Sequence, residues 1–178
     1  MLIDWTWPSV DRLERQEQYK AAIDFMYEEW IQEPENLKVF LRLSFSCWYV
    51  IVEYEVLSET NVKKEDIPRF EILLNELLAF GKKEFEEDPD FLWLFGYMIS
   101  LFPEKFGGAV DEKTGIAMVK EALAIRSQDP VIQLVLLKGI AHAETLPEYA
   151  PLCAVVNAML PNRFVGEGEL QRYFREVF

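Results

Sequence analysis

The chain has 178 residues and carries 31 Asp and Glu against 18 Lys and Arg, a formal net charge of −13. A field this acidic repels nucleic acid and anionic lipid, and it attracts basic partners. Hydrophobic residues at 51% and aromatics at 14% supply the core of a single domain, residues 1–178, so the charge is not a mark of disorder.

The acidity is graded along the chain. Residues 1–60 hold 12 acidic and 5 basic side chains, residues 61–110 hold 10 and 6, and residues 111–178 hold 9 and 7. The first eight residues lack the basic and apolar regions of a secretory signal. The longest uncharged stretch of the most apolar segment, residues 43–52, falls short of the roughly 20 residues that span a bilayer. Cys47 and Cys153 each sit in an apolar run and read as buried free thiols of a reducing compartment. A cytoplasmic protein without a membrane partner is expected.

Trp5 and Trp7 precede the first predicted helix, where they would staple it to the core. That helix is predicted over 9–32, with Leu13, Ala22, Ile23, Met26, Trp30 and Ile31 as its apolar stripe and Asp11 and Glu14 mostly off it. Glu33-Pro34-Glu35 then leads into a helix over 34–58, apolar nearly all round and so the candidate for the centre of the fold. A second pair follows over 66–86 and 89–102, joined at Asp88-Pro89. A third follows over 112–127 and 130–143, joined at Asp129-Pro130. Proline fits the first helical position because its missing N–H would go unpaired there, and Asp88 and Asp129 are suited to cap the helices they precede. Helices over 147–160 and 167–177 complete the chain; the apolar side of the last, with Leu170, Tyr173, Phe174, Val177 and Phe178, suits it to cap the array or, as the second reading, to dock on a second copy. The expected fold is all-α, about seven or eight helices in irregular stacked hairpins, similar to a tetratricopeptide-like α-solenoid without its regular period of about 34 residues.

No constellation names a reaction. The only histidine, His142, has Glu144 two residues on, a spacing that does not bring helical side chains together. One histidine and two isolated cysteines do not make a zinc site, and Cys–His chemistry would need a thiol in a less apolar setting. Gly166-Glu167-Gly168 follows no strand and carries an acid where a phosphate would approach, so it reads as a flexible loop that caps the last helix. We expect no enzyme, no cofactor and no metal.

The electrostatic pattern says more. Glu28, Glu29 and Glu33 fall in the last turns of the first helix, and Glu84, Glu86 and Glu87 in those of the third. Each acid at a helix C-terminus costs about 0.3–1 kcal/mol at low salt. Glu35 and Asp90 add charge at the next helix starts. If the hairpins stack, Glu28, Glu29, Glu33, Glu35, Glu84, Glu86, Glu87, Asp88 and Asp90 form one acidic rim, a candidate binding surface for a basic protein. The alternative is solvated charge that aids solubility.

Two segments carry a resemblance: Leu101-Phe102-Pro103-Glu104-Lys105-Phe106-Gly107, and the ending that runs from Gly166 through Leu170, Arg172, Tyr173 and Phe174 to Phe178. In these the chain resembles the small acidic, all-helical immunity proteins of bacterial toxin systems, including those of contact-dependent growth inhibition. The resemblance implies a stoichiometric inhibitor that binds a cognate toxin domain in the cytoplasm. A monomer or weak homodimer is expected. Many such toxins are nucleases with basic substrate grooves, which an acidic rim would occupy as a polyanion mimic. The second reading is a helical-repeat adaptor or chaperone of a secretion or regulatory system.

Overall fold

A computed structural model describes residues 2–108 and 110–178. Among them every regular element is helical: α1 (Pro8–Arg15), α2 (Tyr19–Gln32), α3 (Leu37–Val52), the single turn α4 (Tyr54–Leu57), α5 (Ile67–Glu84), α6 (Pro89–Leu101), α7 (Glu112–Ile125), α8 (Pro130–Lys138), α9 (Tyr149–Arg163) and α10 (Glu169–Val177). Short 3₁₀ turns lie at Lys64–Asp66, Pro103–Phe106 and Ala143–Thr145. The helix count slightly exceeds the expectation because two predicted helices break. Residues 9–32 divide at Glu17, whose φ of 57° no α-helix accommodates. Residues 34–58 shorten to start at Leu37, where the Asn36 side chain accepts from the Val39 N–H at 3.3 Å. That leaves Pro34 in the turn and not at a first helical position, and Val56 exposed on α4 instead of on the central helix.

The other proline junctions form as the sequence predicts. Asp88 accepts from the Asp90 and Phe91 N–H groups at 2.8 and 3.2 Å. Asp129 accepts from Val131 and Ile132 at 3.0 and 3.4 Å. Each cap satisfies first-turn donors that would otherwise be orphaned, and each is worth about 1 kcal/mol.

Helix α3 is the hub. Phe40, Leu41, Leu43, Phe45 and Cys47 are fully buried, and the helix packs on α2, α5, α6 and α10. The tightest pairing is α6 on α7, where two glycines face each other. A Cβ on Gly96 would lie 2.7 Å from the Gly115 carbonyl, and one on Gly115 would lie 2.5 Å from the Ser100 nitrogen. No larger residue fits at either position without parting the helices.

The C-terminal helix returns to the beginning of the chain and does not stand at the end of a stack. Its contacts run to α1, α3 and α9. Phe174 stacks on Phe164 at 5.1 Å and on Phe178 at 5.4 Å, and its ring meets Trp93 edge-on at 5.2 Å. The Tyr173 and Tyr97 hydroxyls share a hydrogen bond of 2.8 Å. Repeats in a one-dimensional stack touch only their neighbours, whereas here the first and last helices meet.

Candidate functional site

The structure sorts the acidic residues into two populations. One population is buried and paired. Arg42 is 0% exposed and is the only charged residue of the apolar segment 39–52. Its Nη1 donates to the Asp11 carboxylate at 3.0 Å and to the Trp5 carbonyl at 2.7 Å, and its Nη2 donates to Glu14 at 2.8 Å. Glu14, 1% exposed, also accepts from the Ser46 hydroxyl at 3.0 Å. It accepts again from the Glu169 backbone N–H at 2.7 Å, so it caps α10 from a distant part of the chain. Gln171 donates to the Trp5 carbonyl at 2.9 Å, and Tyr19 donates to the Glu169 carboxylate at 3.1 Å. Burial pushes the Glu14 carboxyl above its usual range, opposed by the Arg42 guanidinium, the Glu169 N–H and the Ser46 hydroxyl.

Gly168 makes that cluster possible. A Cβ there would fall 2.5 Å from both Arg42 Nη2 and Asp11 Oδ1. The segment Gly166-Glu167-Gly168 therefore does lead into the last helix, as the sequence indicates, but as a close-packed lid over buried charge and not as a loose loop. Asp11 and Glu14 were expected mostly off the buried stripe; the structure buries both, because the break at Glu17 lets α1 turn them onto Arg42. Trp5 is buried against this cluster and Trp7 packs on Phe25 at 5.9 Å, so both tryptophans do fasten the first helix.

A second buried cluster lies between α6, α7, α8 and α9. Asp90, 2% exposed, accepts two hydrogen bonds from the Arg126 guanidinium at 2.8 and 2.7 Å and one from Trp93 Nε1 at 3.1 Å. Arg163 lies 3.0 Å from Asp129 and 3.8 Å from Asp90. Asp90 is thus removed from the expected rim. Its position two residues after Asp88 points it into the interior, where Arg126 neutralises it.

The second population is exposed. Glu28, Glu29, Glu33, Glu35, Glu84, Glu86 and Glu87 all face solvent, and Asp88 is half-buried by its capping role. Glu84 pairs with its neighbour Lys83, and Glu33 accepts from the Asn36 side chain at 3.2 Å. The last turn of α2 contains no basic residue, so Glu28 and Glu29 stand uncompensated against the helix dipole. The last turn of α5 holds Lys82 and Lys83, which relieve Glu84.

The two acidic junctions share one end of the bundle. Trp30 of α2 meets Phe80 of α5 edge-on at 5.4 Å. Phe40, one turn into α3, lies 5.0 Å from Phe85 and 5.8 Å from Phe80. Residues 28–35 and 84–88 therefore flank a common aromatic platform. Ile31, expected on the buried stripe of α2, is instead 57% exposed among these acids, because the half-buried Trp30 takes the inward position beside it.

The remaining candidates are placed as follows. His142 sits in a turn with φ 59°, its Nδ1 4.0 Å from Glu144, both side chains largely in solvent. Cys47 is fully buried and its thiol is pushed up by burial. Cys153 is only half-buried, which departs from its expected place in the core. None of the described helices is long and apolar enough to cross a membrane.

Sequence reasoning missed the Arg42 cluster, although one signal was present. A lone cation in an otherwise apolar helix must find a buried anion. Compared with family models, with curated proteins and with solved structures, the chain matches none.

Proposed function

We propose that this protein is an immunity protein: it binds a cognate bacterial toxin domain one to one and neutralises it by occupying a basic surface, acting by binding and not by turnover. The observation that carries the reading is the convergence of two exposed acidic junctions over one aromatic platform at a single end of the bundle. The uncompensated acids at the end of α2 cost stability, which is the mark of charge retained for a purpose other than folding. Exposed charge of this kind raises the association rate and selects the partner. Ile31, exposed among the acids, supplies an apolar contact once the surfaces have met. A toxin that acts on nucleic acid fits best, since a groove built for a polyanion is basic and accepts this end in place of its substrate. The helical bundle, closed on itself where α1 meets α10, serves as a rigid scaffold that presents the rim.

The test is protection. The toxin domain encoded beside this chain is expressed in cells with the wild-type protein, with Glu84→Lys/Glu86→Lys/Glu87→Lys, or with neither. Survival is expected with the wild type and reduced survival with the charge-reversed variant at equal abundance. Full protection by the variant would remove the acidic end from the account, and no protection by the wild type would remove the immunity role itself.

A further inference from the structure

Helix α5 buries Phe70, Leu73, Leu74, Leu77 and Leu78 inward, while Ile72 stands 62% exposed. A lone exposed isoleucine is ordinary at a protein surface, but Ile72 lies in a groove of about 620 Å³. Pro68, Ile72 and Ala79 of α5 line this groove together with Glu71 and Glu76, and the turn after α6 adds Glu104 and Lys105. That turn is packed on α5 and fixed there by its own residues. Phe106 is fully buried, its ring 6.3 Å from Phe95, and Gly107 takes a φ of 63°. A Cβ on Gly107 would lie 3.1 Å from Asn75 Oδ1, so the glycine lets the turn close on α5. Asn75 is held in its own place by donating to the Glu71 carbonyl at 2.8 Å. The groove is therefore preformed. Three acids against one base leave it acidic, and among the described residues none of the four is in an ion pair.

We propose that this groove docks a short basic, amphipathic helix of a partner protein, with apolar side chains against Ile72 and Ala79 and with Lys or Arg against Glu71, Glu76 and Glu104. Charge selects this occupant. The three carboxylates repel nucleic acid, anionic lipid and a second copy of this chain, which carries −13. A cation meets them without first displacing a cation of the protein's own. An apolar floor between carboxylates also asks for both kinds of side chain in one ligand, which a basic helix with one apolar stripe supplies. Spacing agrees. Pro68, Ile72 and Ala79 recur on a helical period over about 16 Å of α5, with Glu71 and Glu76 between them, so a helix laid alongside meets them at matching rise. The groove stands apart from the acidic end, which begins beyond Ala79 where α5 closes, and either site can fail without the other.

The test is an NMR titration of the isotope-labelled full chain. The probe is a synthetic peptide of about 14 residues, leucine on one helical face and lysine on the other, added to about 1 mM. Saturable amide shifts are expected at residues 68–79 and 103–107. Ile72→Gln is expected to weaken binding about fivefold, and Glu71→Gln/Glu76→Gln/Glu104→Gln about tenfold at low salt. Glu55→Gln/Glu59→Gln/Glu121→Gln removes three exposed charges elsewhere and is expected to stay within about twofold of the wild type. A peptide with serine for leucine should give no saturable shifts in the groove. No binding up to about 1 mM overturns the proposal. So do shifts centred on residues 84–88, which would assign the peptide to the acidic end, and equal weakening by the two triple variants, which would leave only the general field of the chain. Shifts of the same groove amides on raising the concentration of the chain alone would assign the groove to a second copy and overturn it as well.

Discussion

The end of the bundle that carries Glu28, Glu33, Glu84 and Glu87 and the interior around Arg42 use the same carboxylates for opposite purposes. Around Arg42, Asp11 and Glu14 are desolvated and held by named donors, and they fasten the N-terminal segment, α3 and α10 to one another. At the acidic end the carboxylates keep their water, and Glu28 and Glu29 have no basic residue in the last turn of their helix. Burial and pairing, not residue type, decide whether an acid serves the fold or stays in water. Asp88 and Asp90 show this two residues apart. The first caps a helix at the surface, and the second lies inside against Arg126.

The comparison breaks most visibly at Arg42. Arg42→Met leaves two carboxylates buried without their cation and is expected to cost about 3–5 kcal/mol in chemical denaturation. Adding Asp11→Asn and Glu14→Gln to it should recover part of that loss, because the stranded charges are then gone. Gly168→Ala is expected to cost about 1–3 kcal/mol, since its methyl group meets Arg42 and Asp11 at 2.5 Å. At the other end the expected effect on stability is small. Glu84→Lys/Glu86→Lys/Glu87→Lys should stay within about 0.5 kcal/mol of the wild type, while slowing association with a basic partner about tenfold at low salt. If the triple variant unfolds as readily as Arg42→Met, the distinction between the two populations fails.

The smallest effect concerns a carboxylate between these extremes. Asp111 caps α7, accepting from the Thr114 hydroxyl at 2.7 Å and its N–H at 2.8 Å, and the hydroxyl above all holds the carboxyl below the usual range. Its contribution to stability is present above the unfolded pKa of about 3.9 and is lost as pH falls through the lower folded value. Carboxyl NMR titration should show Asp111 titrating below an ordinary aspartate, and Thr114→Val should move it upward.

Much of the fold is legible in the sequence. Pro89 and Pro130, each after an aspartate, mark helix starts, and the apolar periodicity of α5 to α7 places those helices within two residues at each end, whereas the helix expected over 130–143 stops at Lys138. What escapes a linear reading depends on tertiary partners. Nothing local to Glu17 announces a left-handed residue, so α1 and α2 read as one helix. Asp11 and Glu14 look solvated until Arg42 and the start of α10 come into place beside them, 28 to 155 residues away. The exposure of Glu28, Glu29, Glu33, Glu35, Glu84, Glu86 and Glu87 is legible because a charged side chain stays in water unless a partner draws it in. Asp90 was misplaced because its partner Arg126 lies 36 residues on.

Co-purification with the product of the adjacent reading frame, at low and at high salt, tests the central claim most directly. A one-to-one complex that loosens as salt rises, and that Glu84→Lys/Glu86→Lys/Glu87→Lys weakens without unfolding the protein, is the predicted result. A complex indifferent to salt and to charge reversal, or no complex at either salt, would contradict it.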